Sequence, residues 1–151
     1  MVIDSITVEN ADNDSLPLVR SFKFNVPTAL SGDYHYFSVN LFAGLNKNPF
    51  IDDERQSDIF FATTREYNID CSVVLPEGYV MDDLPKNLKM ITPDTSIVFI
   101  RRSVFENGIL SVIMNLQFKS PVFPASDYET FKEYYKKLLA LLNDKYVYKK
   151  K

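Results

Sequence analysis

The stretch SIVFIRRSVFENGILSVIMNLQFK, residues 96–119, decides the fold class. Two apolar runs, Ser96 to Arg102 and Ile109 to Lys119, are joined through Glu106-Asn107-Gly108. An Asn-Gly pair between apolar runs is the strongest short-range signal of a β-hairpin, because both residues accept the positive φ of a tight turn. Working back from this hairpin, residues 87–92 read as a short strand. Residues 58–62 and 65–75 give two more, the second placing Tyr67, Ile69, Cys71 and Val73 on one face at a period of two. Leu75-Pro76-Glu77-Gly78-Tyr79 is a turn, with Pro fixing φ and Gly supplying a positive φ.

The remaining N-terminal part follows the same pattern. Ile3 to Glu9 is a β-prone run closed by Asn10-Ala11-Asp12-Asn13-Asp14. From Val19 to Val26, the apolar Phe22, Phe24 and Val26 alternate with polar residues, as in a half-buried strand. Ser31-Gly32-Asp33 is a turn, and Tyr34 to Leu41 an aromatic strand. Residues 44–55 form the longest segment without periodicity and read as a loop.

Downstream of the hairpin the period changes. Ser126-Asp127-Tyr128-Glu129 has the form of a capping box. Tyr128, Phe131, Tyr135, Leu138 and Leu142 then recur at helical spacing, down to about Asn143, with acids at the start and lysines from Lys132 on, as the helix dipole favours. Tyr146-Val147-Tyr148 returns as a last strand. The chain is therefore expected to be mainly β, an antiparallel immunoglobulin-like β-sandwich with one amphipathic α-helix near the C-terminus packed on it or closing one end. Repeated parallel βαβ units are absent.

Length and composition bound the rest. With 151 residues the chain is expected to be a single domain over residues 1–151. It has one Cys and one His, so neither an internal disulfide nor the usual structural zinc site can form. A net charge of −3 does not favour nucleic acid as a partner. No apolar run is long enough to span a bilayer as a helix. Charge is uneven: residues 1–15 carry Asp4, Glu9, Asp12 and Asp14 and no base, whereas residues 132–151 carry seven lysines against Glu133 and Asp144. Met1-Val2-Ile3-Asp4 leads straight into a strand without a leader, which fits a cytoplasmic protein or a piece of a longer exported one.

Few constellations carry chemistry. Cys71 lies on the apolar side of a strand, where a thiolate is poorly stabilised, and His35 is on another strand with no orienting group in view. Asp52-Asp53-Glu54 with Asp58 is acidic, but it lacks the alternating ligands and turn Gly of a calcium loop and reads as solvated. The same carboxylates serve a glycosidase only if two of them face a sugar cleft, which the sequence does not show. With 4 Gly in the chain there is no phosphate-cradling loop. No catalytic, metal or cofactor-binding residue is assigned, and no cofactor is expected. Tyr 9 and Phe 12 are the one compositional excess, which a sandwich core accounts for first.

The order of landmarks is more specific than any one of them. Asn48-Pro49-Phe50 is followed by Arg55, then by Leu75-Pro76-Glu77-Gly78-Tyr79, Leu84-Pro85 and a terminal helix with Tyr128, Phe131 and Tyr135. The series resembles the C-terminal domain of unknown function that follows the transglutaminase-like domain in exported proteins of Bacteroidetes. The resemblance implies a non-catalytic β-sandwich at the end of a longer periplasmic or envelope protein, with any Cys, His and Asp chemistry in the preceding domain. It also implies a partner, that upstream transglutaminase-like domain of the same polypeptide, with a glycan or another envelope protein as further partners. Asn48, Pro49, Phe50 and Arg55 are the candidate interaction loop: Pro49 fixes it, Phe50 plugs the sandwich edge, and Arg55 pins it through a carboxylate or backbone carbonyls. The alternative function is a glycan-binding module using exposed Tyr side chains and the 44–58 loop.

Overall fold

The computed structural model describes residues 2–16, 18–25, 28–41 and 45–151. Twelve strands and one helix follow one another as β1 (Val2–Glu9), β2 (Val19–Asn25), β3 (Ala29–Ser31), β4 (Tyr34–Phe37), β5 (Ile59–Phe60), β6 (Arg65–Val74), β7 (Tyr79–Asp83), β8 (Leu88–Ile91), β9 (Ile97–Glu106), β10 (Ile109–Phe118), β11 (Val122–Phe123), α1 (Tyr128–Leu142) and β12 (Tyr146–Lys150). The fold is mainly β, with every strand pair antiparallel and one helix near the C-terminus. Two four-stranded sheets, in the orders β6-β10-β9-β8 and β3-β4-β12-β7, are accompanied by the two-stranded pairs β1-β2 and β5-β11. These orders do not establish the immunoglobulin-like arrangement that the strand count suggests.

The founding hairpin is present. Asn107 and Gly108 take φ of 52° and 79°, both positive as the two-residue turn requires, and Glu106 stands opposite Ile109. β9 continues to Glu106, four residues beyond the Arg102 end expected from apolarity. In β6 the expected alternation holds: Cys71 is buried, Tyr67, Ile69 and Val73 are half-buried, and the residues between them are exposed. In β10 the even positions from Leu110 to Phe118 are all buried.

One core joins both large sheets to the helix. It includes Phe37 and Tyr146 from the second sheet, Phe99, Val112 and Leu116 from the first, and Phe131, Leu138 and Leu142 from α1. At about 25 cal/mol for each Å² of apolar surface removed from water, these rings and branched side chains are the main favourable contribution to folding.

Several expectations are corrected. Ser126 does not cap the helix through its side chain. A 3₁₀ turn, Ala125–Asp127, precedes α1, and the Ser126 hydroxyl donates to Asp127 Oδ1 at 3.2 Å. The Asp127 N–H already reaches Pro124 O, and the Ala125 N–H reaches Asp58 Oδ1 at 2.9 Å, so a distant carboxylate caps the entry instead. β4 stops at Phe37 rather than Leu41, its pairing ending at Tyr36 with β3 and at Phe37 with β12. β5 occupies only two residues of the expected 58–62. β3, β7 and β11 are strands that the apolar pattern did not mark. The half-buried strand expected from Val19 is exposed on both faces except at Phe24, because β1 and β2 pair only with each other. Val26, expected as its last apolar position, lies outside the described residues, as does Gly44 at the start of the expected loop.

Candidate functional site

The loop that follows Leu45 is built around one ring. Asn48 Oδ1 accepts the Phe50 N–H at 2.9 Å, turning the chain across Pro49. That turn drives Phe50 into the core, where its ring meets Phe131 edge-on at 4.7 Å and Tyr135 at 4.9 Å. Beyond it, helix α1 holds the backbone. Asp52 O accepts hydrogen bonds from Tyr128 Oη at 3.1 Å and Lys132 Nζ at 2.7 Å, and Lys132 also pairs with Asp53. Arg55 donates from Nε to Ser57 O at 2.8 Å, bracing its own loop rather than reaching a carboxylate. Of the four residues singled out in the sequence, Asn48 and Phe50 form the anchor, while Pro49 and Arg55 are exposed.

Acidic residues of this segment divide. Asp58 caps the 3₁₀ turn, whereas Asp52, Asp53 and Glu54 keep their side chains in solvent. Among the described residues, no group of three or more His, Cys, Asp and Glu side chains is placed to hold a metal ion.

Cys71 and His35 do not make a dyad. Cys71 is buried opposite Val112 in the first sheet, and burial, with Asp70 nearby, pushes its thiol up, against thiolate formation. His35 lies in the second sheet, stacked on Tyr148 at 4.6 Å and edge-on to Tyr79, with its Nδ1 buried and unpaired. Tyrosines are mostly spent on the core. Tyr128, Tyr134, Tyr135, Tyr146 and Tyr148 are buried, Tyr36, Tyr67 and Tyr79 are half-buried, and only Tyr34 is exposed, with Lys149 over its ring. Burial pushes Tyr134, Tyr135 and Tyr146 above the usual phenol range. A row of solvent-facing rings for sugar stacking is not among them.

Two features escaped the sequence. Arg101, in strand β9, is the one buried ion among the described residues: its guanidinium donates to Leu141 O at the helix C-terminus, to Lys86 O and to Asp144 Oδ2 at 2.9 Å. On the outer face of the first sheet, Glu66 Oε1 accepts from Asn115, Gln117 and Asn68, which hold its carboxyl below the usual range.

The N-terminal hairpin carries several exposed apolar side chains. Facing pairs Ile6 and Phe22, Ile3 and Phe24, and Val8 and Arg20 share one face, while Ser5, Thr7, Ser21 and Lys23 take the other. On the apolar face Ile6 is 59% exposed, Val8 50%, Ile3 48% and Phe22 41%, values unlike those of a sheet packed on its own protein. Leu16, Leu18 and Val19 extend the exposed apolar surface toward the far end of the hairpin. A signal was present in the alternation of Phe22 and Phe24, but alternation cannot say which body covers the face.

Residues 33–148 match the model of the family DUF3858, described as a domain of unknown function with a solved structure. The match runs from just before Phe37, the first buried residue among those described, to the last, Tyr148, and leaves the hairpin outside it. Neither a curated protein nor a solved structure matches the chain.

Proposed function

The chain belongs to the DUF3858 family of domains of unknown function, and from that premise we propose that it is a non-catalytic interaction domain in the cell envelope. Its partner in this reading is a transglutaminase-like domain of the same polypeptide, on which it docks or which it orients. The observation that carries the reading is the hairpin β1-β2, whose Ile3, Ile6, Val8 and Phe22 lie bare on one face. An apolar sheet face in water is unfavourable unless a partner covers it. The likeness of the 48–55 loop and the terminal helix to domains that follow transglutaminase-like domains supplies the kind of partner. That loop is committed inward, with Phe50 against α1, so docking is assigned to the hairpin rather than to Asn48, Pro49, Phe50 and Arg55.

The test is association of residues 1–151 with the domain encoded immediately ahead of them, measured by calorimetry. The double change Ile6→Asp with Phe22→Asp is expected to weaken it at least about tenfold, two desolvated apolar contacts being worth more than 1.4 kcal/mol together. Lys47→Asp, on an exposed residue of the other loop, is expected to leave it unchanged. Peptidase, transamidase or glycosidase turnover by residues 1–151 alone would overturn the reading. So would reproducible micromolar glycan binding that is lost on Tyr34→Ala, in favour of the sugar-binding alternative.

A further inference from the structure

The outer face of the first sheet is ordered by the register of its long strands β6, β10 and β9. Ile109 stands opposite Val74 and Glu106, Ser111 opposite Ser72 and Val104, and Ile113 opposite Asp70 and Arg102. Successive residues of a strand alternate between its faces, and Leu110, Val112 and Met114 are buried in the core, so these side chains share the face turned away from it. All of them are exposed. Val74 is 73% exposed, Ile113 51%, Val104 49% and Ile109 41%, an apolar group that no described residue covers.

Charge is laid across this face in a fixed order. The row through Ile113 runs from Asp70 on β6, over the apolar residue on β10, to Arg102 on β9. Ile113 stands between the two charges, and no ion pair joins them. Neither Asp70 nor Arg102 has an ion-pair partner among the described residues, although Arg20 lines the recess beside Asp70. Glu106, the other charge in these rows, sits at the rim beside the Asn107-Gly108 turn. Acid on one side, base on the other and isoleucine between them make the row complementary to a reversed copy of itself.

We propose that this face binds a second copy of the chain, the two sheets packing face to face about a two-fold axis that runs along β10. Such an axis sets Ile113 of one copy against Ile113 of the other and exchanges the positions of β6 and β9. Asp70 of each copy then meets Arg102 of the other. An axis laid across the strands through the same row would put Asp70 on Asp70 and Arg102 on Arg102, so charge selects the first arrangement. Packed sheets lie about 10 Å apart, a gap that an arginine and an aspartate side chain bridge together. Three strands of 10 residues offer roughly 14 by 33 Å in each copy, or about 1,000 Å² for the pair, the lower end for a specific interface. The dimer is therefore weak and reversible, with Ile113 at its centre and a charge pair on either side. No hairpin residue enters this contact, so it stands or falls apart from the docking reading.

Sedimentation equilibrium of residues 1–151 tests this. A monomer–dimer equilibrium with a dissociation constant of about 1–100 μM is expected. Ile113→Asp, Asp70→Arg and Arg102→Asp are each expected to raise that constant at least about tenfold. Their melting temperatures in dilute solution are expected to stay nearly unchanged, because all three positions are exposed. Mixing Asp70→Arg with Arg102→Asp decides the pairing. One variant has two bases in the row and the other two acids, so the mixture is expected to associate at least about tenfold more tightly than either does alone. Both changes in one chain are expected to return the dissociation constant to about that of the unmodified protein. If a charge variant fails to fold, Ile113→Asp alone carries the test. A dimer that survives Ile113→Asp unchanged overturns the proposal, as does a failure of both the mixture and the combined variant to restore association. Loss of the dimer on Ile6→Asp with Phe22→Asp, but not on Ile113→Asp, moves the contact to the hairpin and overturns it too. A chain that stays monomeric at about 1 mM overturns it outright.

Discussion

Arg101 shows how much one residue can join. Beside it in β9 stand Ile100 and the exposed Arg102, and its own side chain, 2% exposed, makes hydrogen bonds to the chain before β8, to the end of α1 and to Asp144. A guanidinium in the interior is tolerated because its planar fork is answered on several sides, by the Lys86 and Leu141 carbonyls and by Asp144. Removing the ion therefore takes a charged donor from both carbonyls as well as opening a cavity. Arg101→Ala is expected to cost about 3–5 kcal/mol in urea unfolding, and Arg101→Lys a substantial part of that because an ammonium cannot reproduce the fork. Asp144 is 42% exposed, and Asp144→Asn is expected to cost about 1 kcal/mol or less. Equal losses for Arg101→Ala and Asp144→Asn would mean that the ion pair, and not the carbonyl contacts, holds this corner. None of this was legible in the sequence. An arginine inside an apolar run is visible, but its acceptors lie 15 to 43 positions away and become neighbours only on folding.

At the scale of elements, what could be read depended on whether the signal was local. The Asn107-Gly108 hairpin, the alternation in β6 and the apolar stripe of α1 are each set by residues that touch within the element, and all three are present. The cap of α1 misled for the same reason in reverse: Ser126 and Glu129 have the right spacing, but the Ala125 N–H is taken by Asp58, 67 positions earlier. β3, β7 and β11 are strands because a neighbour offers an edge, not because their own residues alternate strongly. The 45–58 loop illustrates both sides: an aromatic at Phe50 is visible in the sequence and its ring packs on α1, whereas the clamp of Asp52 O by Tyr128 and Lys132 leaves no local signal. Two substitutions separate the contributions to this junction. Phe50→Ala is expected to cost about 3–5 kcal/mol, since it empties the space against Phe131 and Tyr135. Asp58→Ala is expected to cost about 1 kcal/mol, the usual price of a lost N-cap. Chemical denaturation of both variants checks the order, and a larger loss for Asp58→Ala would show that the cap outranks the plug.

On the scale of the whole molecule, exposed apolar side chains occur along the chain from Ile3 to Val122, but buried ones do not occur along all of it. Among the described residues, none ahead of Phe37 is buried, while Ile3, Ile6, Val8, Leu16, Leu18, Val19, Phe22 and Leu30 are all exposed. The N-terminal hairpin thus contributes little to the core that joins the two large sheets to α1, and its strands pair with each other alone. In the docking reading proposed above, this apolar surface is kept for a partner and the hairpin adds little to the stability of its own protein. The shortened chain of residues 28–151 is accordingly expected to fold and to melt within about 4 °C of the full one, which corresponds to a loss near 1 kcal/mol for a domain of this size. In the docking reading it is also expected to lose association with a transglutaminase-like domain of the same polypeptide. Calorimetric melting of both chains checks the first expectation. A drop of 15 °C or more would place the hairpin in the cooperative unit, and its bare face would then be the outer side of a structural element rather than a surface kept for a partner.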